Sequence, residues 1–272
     1  MKIIKEKATK CPSCAKETCP IVYGRKYEVP IVICEHCGFT FSHRAFIPNF
    51  YAKYENPNWT MYSEEKMLEE HQRDFSKTEL TRVEYVLPYI KSGKWLDIGG
   101  SFGYTALAAM GNGFEASVLE VNPQHIKYGK LCRPEITWIQ SITIPNEILD
   151  EYYDVVSMCH VLEHIPEPKE SIQNVDRILK KSGYLYIEVP NWGSILRKIK
   201  KMNWYYLGDK SHINHFDINT LRNLVESVGF KFKKYEYQRS FSVNEIQVWK
   251  EPVKKFVSKL GFGNVLRAVW QK

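Results

Sequence analysis

The stretch Lys94-Trp-Leu-Asp-Ile-Gly-Gly-Ser-Phe-Gly-Tyr constrains this chain more than any other. A short apolar run ending in Asp97 reads as a buried strand. Gly99, Gly100, Ser101 and Gly103 make a turn with almost no side chain, and Thr105-Ala-Leu-Ala-Ala-Met carries on as a helix. Strand, glycine turn and helix in that order begin a βαβ unit, and glycine there lets the backbone come close to a ligand. Seventeen residues past Gly103, Ala-Ser-Val-Leu-Glu120 reads as the next strand, again ending in an acid. A carboxylate at that place can accept both ribose hydroxyls of a nucleoside cofactor. Asn122-Pro123 then supplies a cap and a first-turn proline for another helix.

The rest of the chain keeps the alternation. Ile136–Gln140 reads as a third strand and Tyr153-Asp-Val-Val-Ser-Met-Cys as a fourth, buried one. Glu170–Lys181 is amphipathic, with Gly183 expected to cap it, and Tyr184–Asn191 follows as a fifth strand. Asp217–Val228 is a capped helix closed by Gly229, and two late strands are expected near Phe230–Tyr237 and Asn244–Trp249. Ahead of the glycine loop, Ser63 and the acids behind it open a helical lead-in, two helices at about 63–76 and 78–90. The pattern predicts an α/β fold.

The loop from Asp97 to Gly103 resembles the D-x-G-x-G-x-G loop of Rossmann-like S-adenosylmethionine-dependent methyltransferases, with Ser101 in place of the middle glycine. The G-x-G-x-x-G that seats a pyrophosphate is absent, which separates the loop from dinucleotide-binding domains. Further on, His160-Val-Leu-Glu-His-Ile-Pro-Glu-Pro, Val189-Pro-Asn191 and Ser211-His-Ile-Asn-His-Phe216 are similar to class I small-molecule methyltransferases. These include ubiquinone-biosynthesis O-methyltransferases and sugar methyltransferases of surface-glycan and antibiotic pathways. The resemblance covers roughly residues 78–250. It implies a seven-stranded, mostly parallel sheet with helices on both faces and an antiparallel last strand. In that resemblance Asp97 holds the amino-acid end of the cofactor, Gly99, Gly100, Ser101 and Gly103 form its cradle, and Glu120 and Val121 meet the ribose. Gln140, Ser141 and Cys159 lie by the adenine or adenosine.

A second motif stands apart. Cys11-Pro-Ser-Cys14 and Cys34-Glu-His-Cys37 are two C-x2-C pairs with 19 residues between them, a spacing that sets four thiolates around one Zn2+. Ile21–Ile33 between them reads as a short hairpin, so residues 1–45 form a zinc ribbon. Four thiolates leave no open coordination position, which makes the ion structural. Cys19, His36 and His43 are weaker ligand candidates, while Cys132 reads as a buried thiol. Sugar C-methyltransferases also carry an N-terminal cysteine-rich zinc module, followed by a further C-terminal domain for which this chain has no room. That leaves an O-methyl acceptor ahead. The expected organisation is a ribbon (1–45), a connector and helical lead-in (46–92), a methyltransferase domain (93–250) with a substrate-side insertion (190–216), and a basic amphipathic end (251–272).

Transfer of a methyl from a sulfonium needs an aligned nucleophile and an outlet for one proton. His164 is the expected base, with His160 lining the cofactor pocket and His212 and His215 as further candidates. The resemblance further implies that Glu163, His164 and His215 could converge on Mg2+ or a transition metal that orients a diol.

Charge leaves alternatives open. The net charge of +7 is concentrated in residues 181–272, which hold 17 basic and 7 acidic groups. Such a surface suits a phosphorylated substrate, RNA or an anionic membrane face. One alternative is an RNA methyltransferase that grips RNA with its ribbon. Another is a protein that binds S-adenosylmethionine without chemistry. The end of the chain mixes basic and apolar residues and could lie on a membrane surface, but two glycines interrupt it and docking back on the domain is the expected arrangement. No apolar run reaches the ~20 residues of a span, no signal-peptide core precedes Cys11, and the paired thiols fit a reducing, cytoplasmic setting.

Overall fold

A computed structural model of the chain describes residues 5–47, 62–238 and 263–272. In chain order it contains strands β1 (Thr9–Lys10), β2 (Glu17–Thr18), β3 (Ile21–Lys26), β4 (Val29–Ile33) and β5 (Thr40–Ser42). Next come α1 (Glu64–Gln72), α2 (Lys77–Val86), β6 (Gly93–Ile98), α3 (Tyr104–Met110), β7 (Phe114–Glu120) and α4 (Pro123–Cys132). Then follow β8 (Thr137–Gln140), β9 (Tyr153–Cys159), α5 (Pro168–Ile178), β10 (Leu179–Pro190) and α6 (Ile195–Lys200). The last elements are β11 (Asn214–His215), α7 (Ile218–Glu226), β12 (Lys231–Gln238) and β13 (Val265–Gln271).

The chain divides into two compact units. One gathers residues 1–48, 160–172 and 188–268, the other residues 49–159, 173–187 and 269–272. The main sheet has seven strands in the order β12-β13-β10-β9-β6-β7-β8 and is mostly parallel, with helices beside it. At its centre β6 runs parallel to both β7 and β9, and β7 parallel to β8.

In the second unit, local chemistry sets the helix ends. Ser63 accepts from the Lys66 amide to start α1, and Ser76 with Glu79 forms a capping box on α2. Both helices are shorter than the sequence pattern suggests. The α2 helix stops at Val86, ahead of Pro88, which has no N–H to continue the ladder. Asn122 caps α4 and Pro123 takes its first turn, as expected. Trp95, Phe114, Val155, Tyr186 and Val269 pack into one core cluster with Val83 and Val86 of α2. A second cluster brings Trp138 and Ile136 against Ala106, Val118 and Ile126.

The first unit holds a four-stranded sheet in the order β11-β5-β4-β3. The expected ribbon hairpin is β3–β4, an antiparallel pair, with β5 beside it. The fourth strand comes from far along the chain: Asn214 pairs with Phe41 and His215 with Thr40. The ribbon and residues 190–216, expected as separate segments, therefore share one sheet.

One expectation needs correction. Gly183 does not cap α5, because the chain passes directly into β10 and Gly183 lies within that strand. Its neighbour Ser182 takes the left-handed turn instead, at φ 67°. The end of the chain, expected to dock back on the domain rather than to lie on a membrane, ends in β13, a strand with Val265 to Trp270 buried between β10 and β12. The strand expected at Asn244–Trp249 lies outside the described residues. No helix among the described residues is long and apolar enough to cross a membrane.

Candidate active site and metal centre

The candidate cofactor cradle lies where β6 and β7 end. Asp97 is buried at the end of β6, where its Oδ1 accepts from Ser157 Oγ at 2.6 Å. That hydroxyl also accepts from Trp95 Nε1 at 2.8 Å, so a core indole, a serine and the carboxylate form one relay. A Cβ on Gly100 would stand 2.9 Å from both Asp97 Oδ2 and Val118 Cγ1, so only glycine lets the loop fold over the acid. Gly103 has φ 79° and backs onto Trp138, where a Cβ would come within 2.9 Å of the ring. Ser101 shares the left-handed region at φ 49°.

Glu120 ties the cradle together. Its Oε2 accepts from the Ser101 amide, and its Oε1 accepts from the amides of Val121 and Asn122, each at 2.9 Å. Burial pushes this carboxyl above its usual range, while the three amides pull the other way. Gln140 pairs in register with Glu120, and the Ser141 amide donates to the Glu120 carbonyl at 3.1 Å. The structure thus brings Asp97, Gly99, Gly100, Ser101, Gly103, Glu120, Val121, Gln140 and Ser141 to neighbouring strand ends. Cys159 is half-buried at the end of β9.

In the other unit, the four ribbon thiols converge. Cys11 and Cys37 Sγ are 3.7 Å apart, Cys14 and Cys34 Sγ 3.9 Å, and all four sulfurs lie within 4.8 Å of one another. Zn–S bonds of ~2.3 Å in a tetrahedron put sulfurs about 3.8 Å apart, so the observed spacing fits the ion. Hydrogen bonding with Cys11 draws the Cys37 thiol down to about 5, while that contact and burial push Cys11 up. Cys19 is exposed, and His36 and His43 point to the carbonyls of Glu17 and Lys7 rather than to the sulfurs.

The same unit carries the histidines. His160 follows β9 at φ 55°, and its amide donates to the Glu188 carbonyl at 2.8 Å. Its Nδ1 lies 3.2 Å from Glu163 Oε1 and its Nε2 3.5 Å from Glu188 Oε1. Burial works against a charge on this ring, but the two carboxylates outweigh it and raise the imidazole to about 9. Glu163 is itself buried, which would raise its carboxyl; His160 holds it below the usual range.

Glu163 and His164 share a short 3-10 turn (Leu162–His164) that is pinned from β11. Ile213 donates to the Glu163 carbonyl at 2.9 Å, and Asn214 Nδ2 to the carbonyls of Leu162 and Ile165 at 3.2 and 2.6 Å. Arg44, just past β5, closes the link to Asn214 Oδ1 and the Pro166 carbonyl. Neither Arg44, Asn214 nor Glu188 stood out in the sequence; only their partners could have marked them.

His212 joins Glu163 and His164, with ligand atoms of the three within 4.8 Å of one another. His215, the expected third member, does not. It is buried in β11 and stacks on Trp192 at 4.8 Å, and burial first, then the charges of His212, Arg44 and Arg197, lowers it to about 3. A strand reverses side-chain direction at each residue, and pairing with β5 fixes which way His215 faces.

Parallel sheet, glycine loop and strand-end acid define a class I S-adenosylmethionine-dependent methyltransferase. Residues 68–234 match the family model described as a methyltransferase domain, and the chain belongs to that family. Over 118 residues it is 29% identical to the ubiquinone biosynthesis O-methyltransferase of Vibrio cholerae, covering 40% of this chain and 48% of that one. Over 138 residues it is 24% identical to the same-named enzyme of Nitrosomonas europaea, covering 49% and 57%. The chain thus spans about half the length of the curated relatives it matches. A SAM-dependent methyltransferase of Archaeoglobus fulgidus superposes with a TM-score of 0.56 at 23% identity, covering 77% of this chain and 100% of that one. The fold is the same.

Proposed function

We propose that this enzyme transfers a methyl group from S-adenosylmethionine to a hydroxyl of a small molecule, such as a sugar or glycan precursor. The observation that carries the reading is the tautomer of His164. Its Nδ1 lies 3.1 Å from the Ser211 carbonyl, which can only accept, so the neutral ring bears its lone pair on Nε2. That nitrogen can take the hydroxyl proton. His160 cannot serve in the same way, because both its nitrogens already face carboxylates. The O-methyltransferase names of the relatives support an oxygen acceptor.

Bound S-adenosylmethionine supplies a methyl on a sulfonium sulfur, an electrophile that needs no further activation. Asp97 and the loop from Gly99 to Gly103 would hold its amino-acid end, Glu120 and Val121 its ribose, and Gln140, Ser141 and Cys159 the adenosine side. His164 Nε2 would take the proton that the acceptor hydroxyl gives up as it receives the methyl. Cys11, Cys14, Cys34 and Cys37 would bind one structural Zn2+.

The test is transfer of labelled methyl into extract separated into RNA, glycan plus lipid, and small-molecule fractions. Label in the glycan or small-molecule fraction, lost in Asp97→Ala and reduced about 100-fold in His164→Gln, supports the reading. Label in RNA overturns it.

A further inference from the structure

We infer that Asn214 is the positioning residue of the candidate base: it fixes the turn that carries His164, and Arg44 fixes Asn214. The inference rests on the reading of His164 as the proton acceptor and adds what sets that ring in place.

The Leu162–His164 turn is a single 3-10 turn, too short to hold itself. Its carbonyls are held from outside. Asn214 Nδ2 donates to the Leu162 carbonyl at 3.2 Å and to the Ile165 carbonyl at 2.6 Å. The Ile213 amide donates to the Glu163 carbonyl at 2.9 Å, and Arg44 Nη2 to the Pro166 carbonyl at 2.8 Å. Two carbonyls before His164 and two after it are thereby tied to β11 and to the residue just past β5.

The ring is held by the same run of chain. His164 Nδ1 points to the Ser211 carbonyl at 3.1 Å, and the His212 ring packs edge to face against it with centroids 4.6 Å apart. Residues 211 to 214 therefore set both the backbone and the side chain of the base. The tautomer of a histidine follows the hydrogen bond that its other nitrogen makes. If the turn slips against Asn214, the Nδ1–H bond to Ser211 opens, and the lone pair is no longer confined to Nε2.

The chemistry at position 214 demands an amide. The side chain is 2% exposed, and it meets two carbonyls and one guanidinium, with Arg44 Nη2 donating to Oδ1 at 2.7 Å. It must offer donors to the first two and an acceptor to the third, and a carboxamide carries both. Its orientation is fixed as well: turned over, the NH2 would face the guanidinium and the oxygen two carbonyls. Aspartate has the same shape and would pair more strongly with Arg44, but it would set an oxygen against the two carbonyls. The substitution separates two roles. A side chain that only anchors Arg44 tolerates aspartate; one that positions the turn does not.

The test reads the tautomer of His164 in the full, zinc-bound chain, from 15N chemical shifts of histidine-labelled protein. The His164 signal is assigned by its loss in His164→Gln. Wild type should show a neutral ring with the proton on Nδ1. Asn214→Ala and Asn214→Asp should each show mixed tautomers. Transfer of labelled methyl should fall 10- to 100-fold in both, with the Kd for S-adenosylmethionine unchanged. Arg44→Ala should act in the same direction and add little to Asn214→Ala, because the two share one path. Where Asn214→Ala does not fold, Asn214→Asp and Arg44→Ala give the same comparison. A ring that keeps its proton on Nδ1 in the Asn214 variants overturns the inference and leaves His164 as the base. So does an Asn214→Asp protein as fast as wild type. Mixed tautomers with an undiminished rate, where His164→Gln also leaves the rate intact, would sink the base reading instead and keep Asn214 as the residue that sets the ring.

Discussion

Ser101 occupies a conformation that belongs to glycine. At φ 49° its Cβ is crowded, a cost of roughly 1 kcal/mol for a residue that is not glycine. The amide, not the side chain, makes the contact with Glu120. Ser101→Gly should therefore raise stability by about 1 kcal/mol, or roughly 2 °C in Tm, with no loss of S-adenosylmethionine affinity. A fall in Tm would show that the hydroxyl has a role of its own. Glu120→Ala is the opposite case. It removes the acceptor of three amides and the carboxylate assigned to the ribose. S-adenosylmethionine binding by calorimetry should weaken roughly 10- to 100-fold, the scale of one charge-assisted hydrogen bond with some loss of loop order. Unchanged affinity would move the ribose contact elsewhere.

At the scale of elements, α1 and α4 meet through two buried histidines. His71 and His125 have ring centroids 5.7 Å apart, and Phe102 of the cofactor loop packs against both. Both nitrogens of His71 and Nδ1 of His125 lack partners among the described residues. Burial lowers both rings to about 4; His125 and Arg133 add to the effect on His71. The unfolded rings titrate near 6.5, so between pH 6.5 and 4 the unfolded chain binds more protons and stability falls as pH falls. Each ring accounts for on the order of 3 kcal/mol across that window. A Tm measured from pH 7 to 4.5 should drop, and the drop should shrink in His71→Phe with His125→Phe. Equal slopes for wild type and variant would rule the pair out. The sequence shows such elements only where the signal is local. The strand, loop and helix around Asp97 were legible because strand end, glycines and helix start are consecutive. The capping residues Ser63, Asn122 and Asp217 were legible for the same reason. β13 was not, because a seventh strand is defined by the neighbours it joins, β10 and β12, and its short apolar run gives no sign of them. His212 and His215 sit three residues apart and looked interchangeable; pairing of β11 with β5 decides between them.

For the whole molecule, the ribbon is more than an appendage, because the backbone runs of the first unit link it to the histidine loop. The knuckle Cys34–Cys37 leads into β5, where the Ser42 amide donates to the Ile213 carbonyl at 2.9 Å. Ile213 in turn donates to Glu163, and Asn214 holds the carbonyls on either side of the turn. Hydrogen bonds thus run from β5, which follows the second knuckle, to the turn that holds Glu163 and His164, whereas the residues proposed to cradle the cofactor, Asp97 to Gly103 and Glu120, belong to the other unit. A zinc site of this kind contributes on the order of 10 kcal/mol to the fold that it closes. On the proposed reading, removing zinc from the four thiols with a strong chelator, or substituting Cys34→Ala, should therefore loosen the proposed acceptor side around His164 first. kcat/KM for the acceptor should fall at least 100-fold, while the Kd for S-adenosylmethionine stays within about threefold, a difference of under 1 kcal/mol. Hydrogen exchange should rise at Thr40–Ser42 and Ile213–His215 before it rises at Gly99–Gly103. Loss of cofactor affinity in parallel with activity would mean that the ribbon supports both units, and the division of labour between them would have to be abandoned.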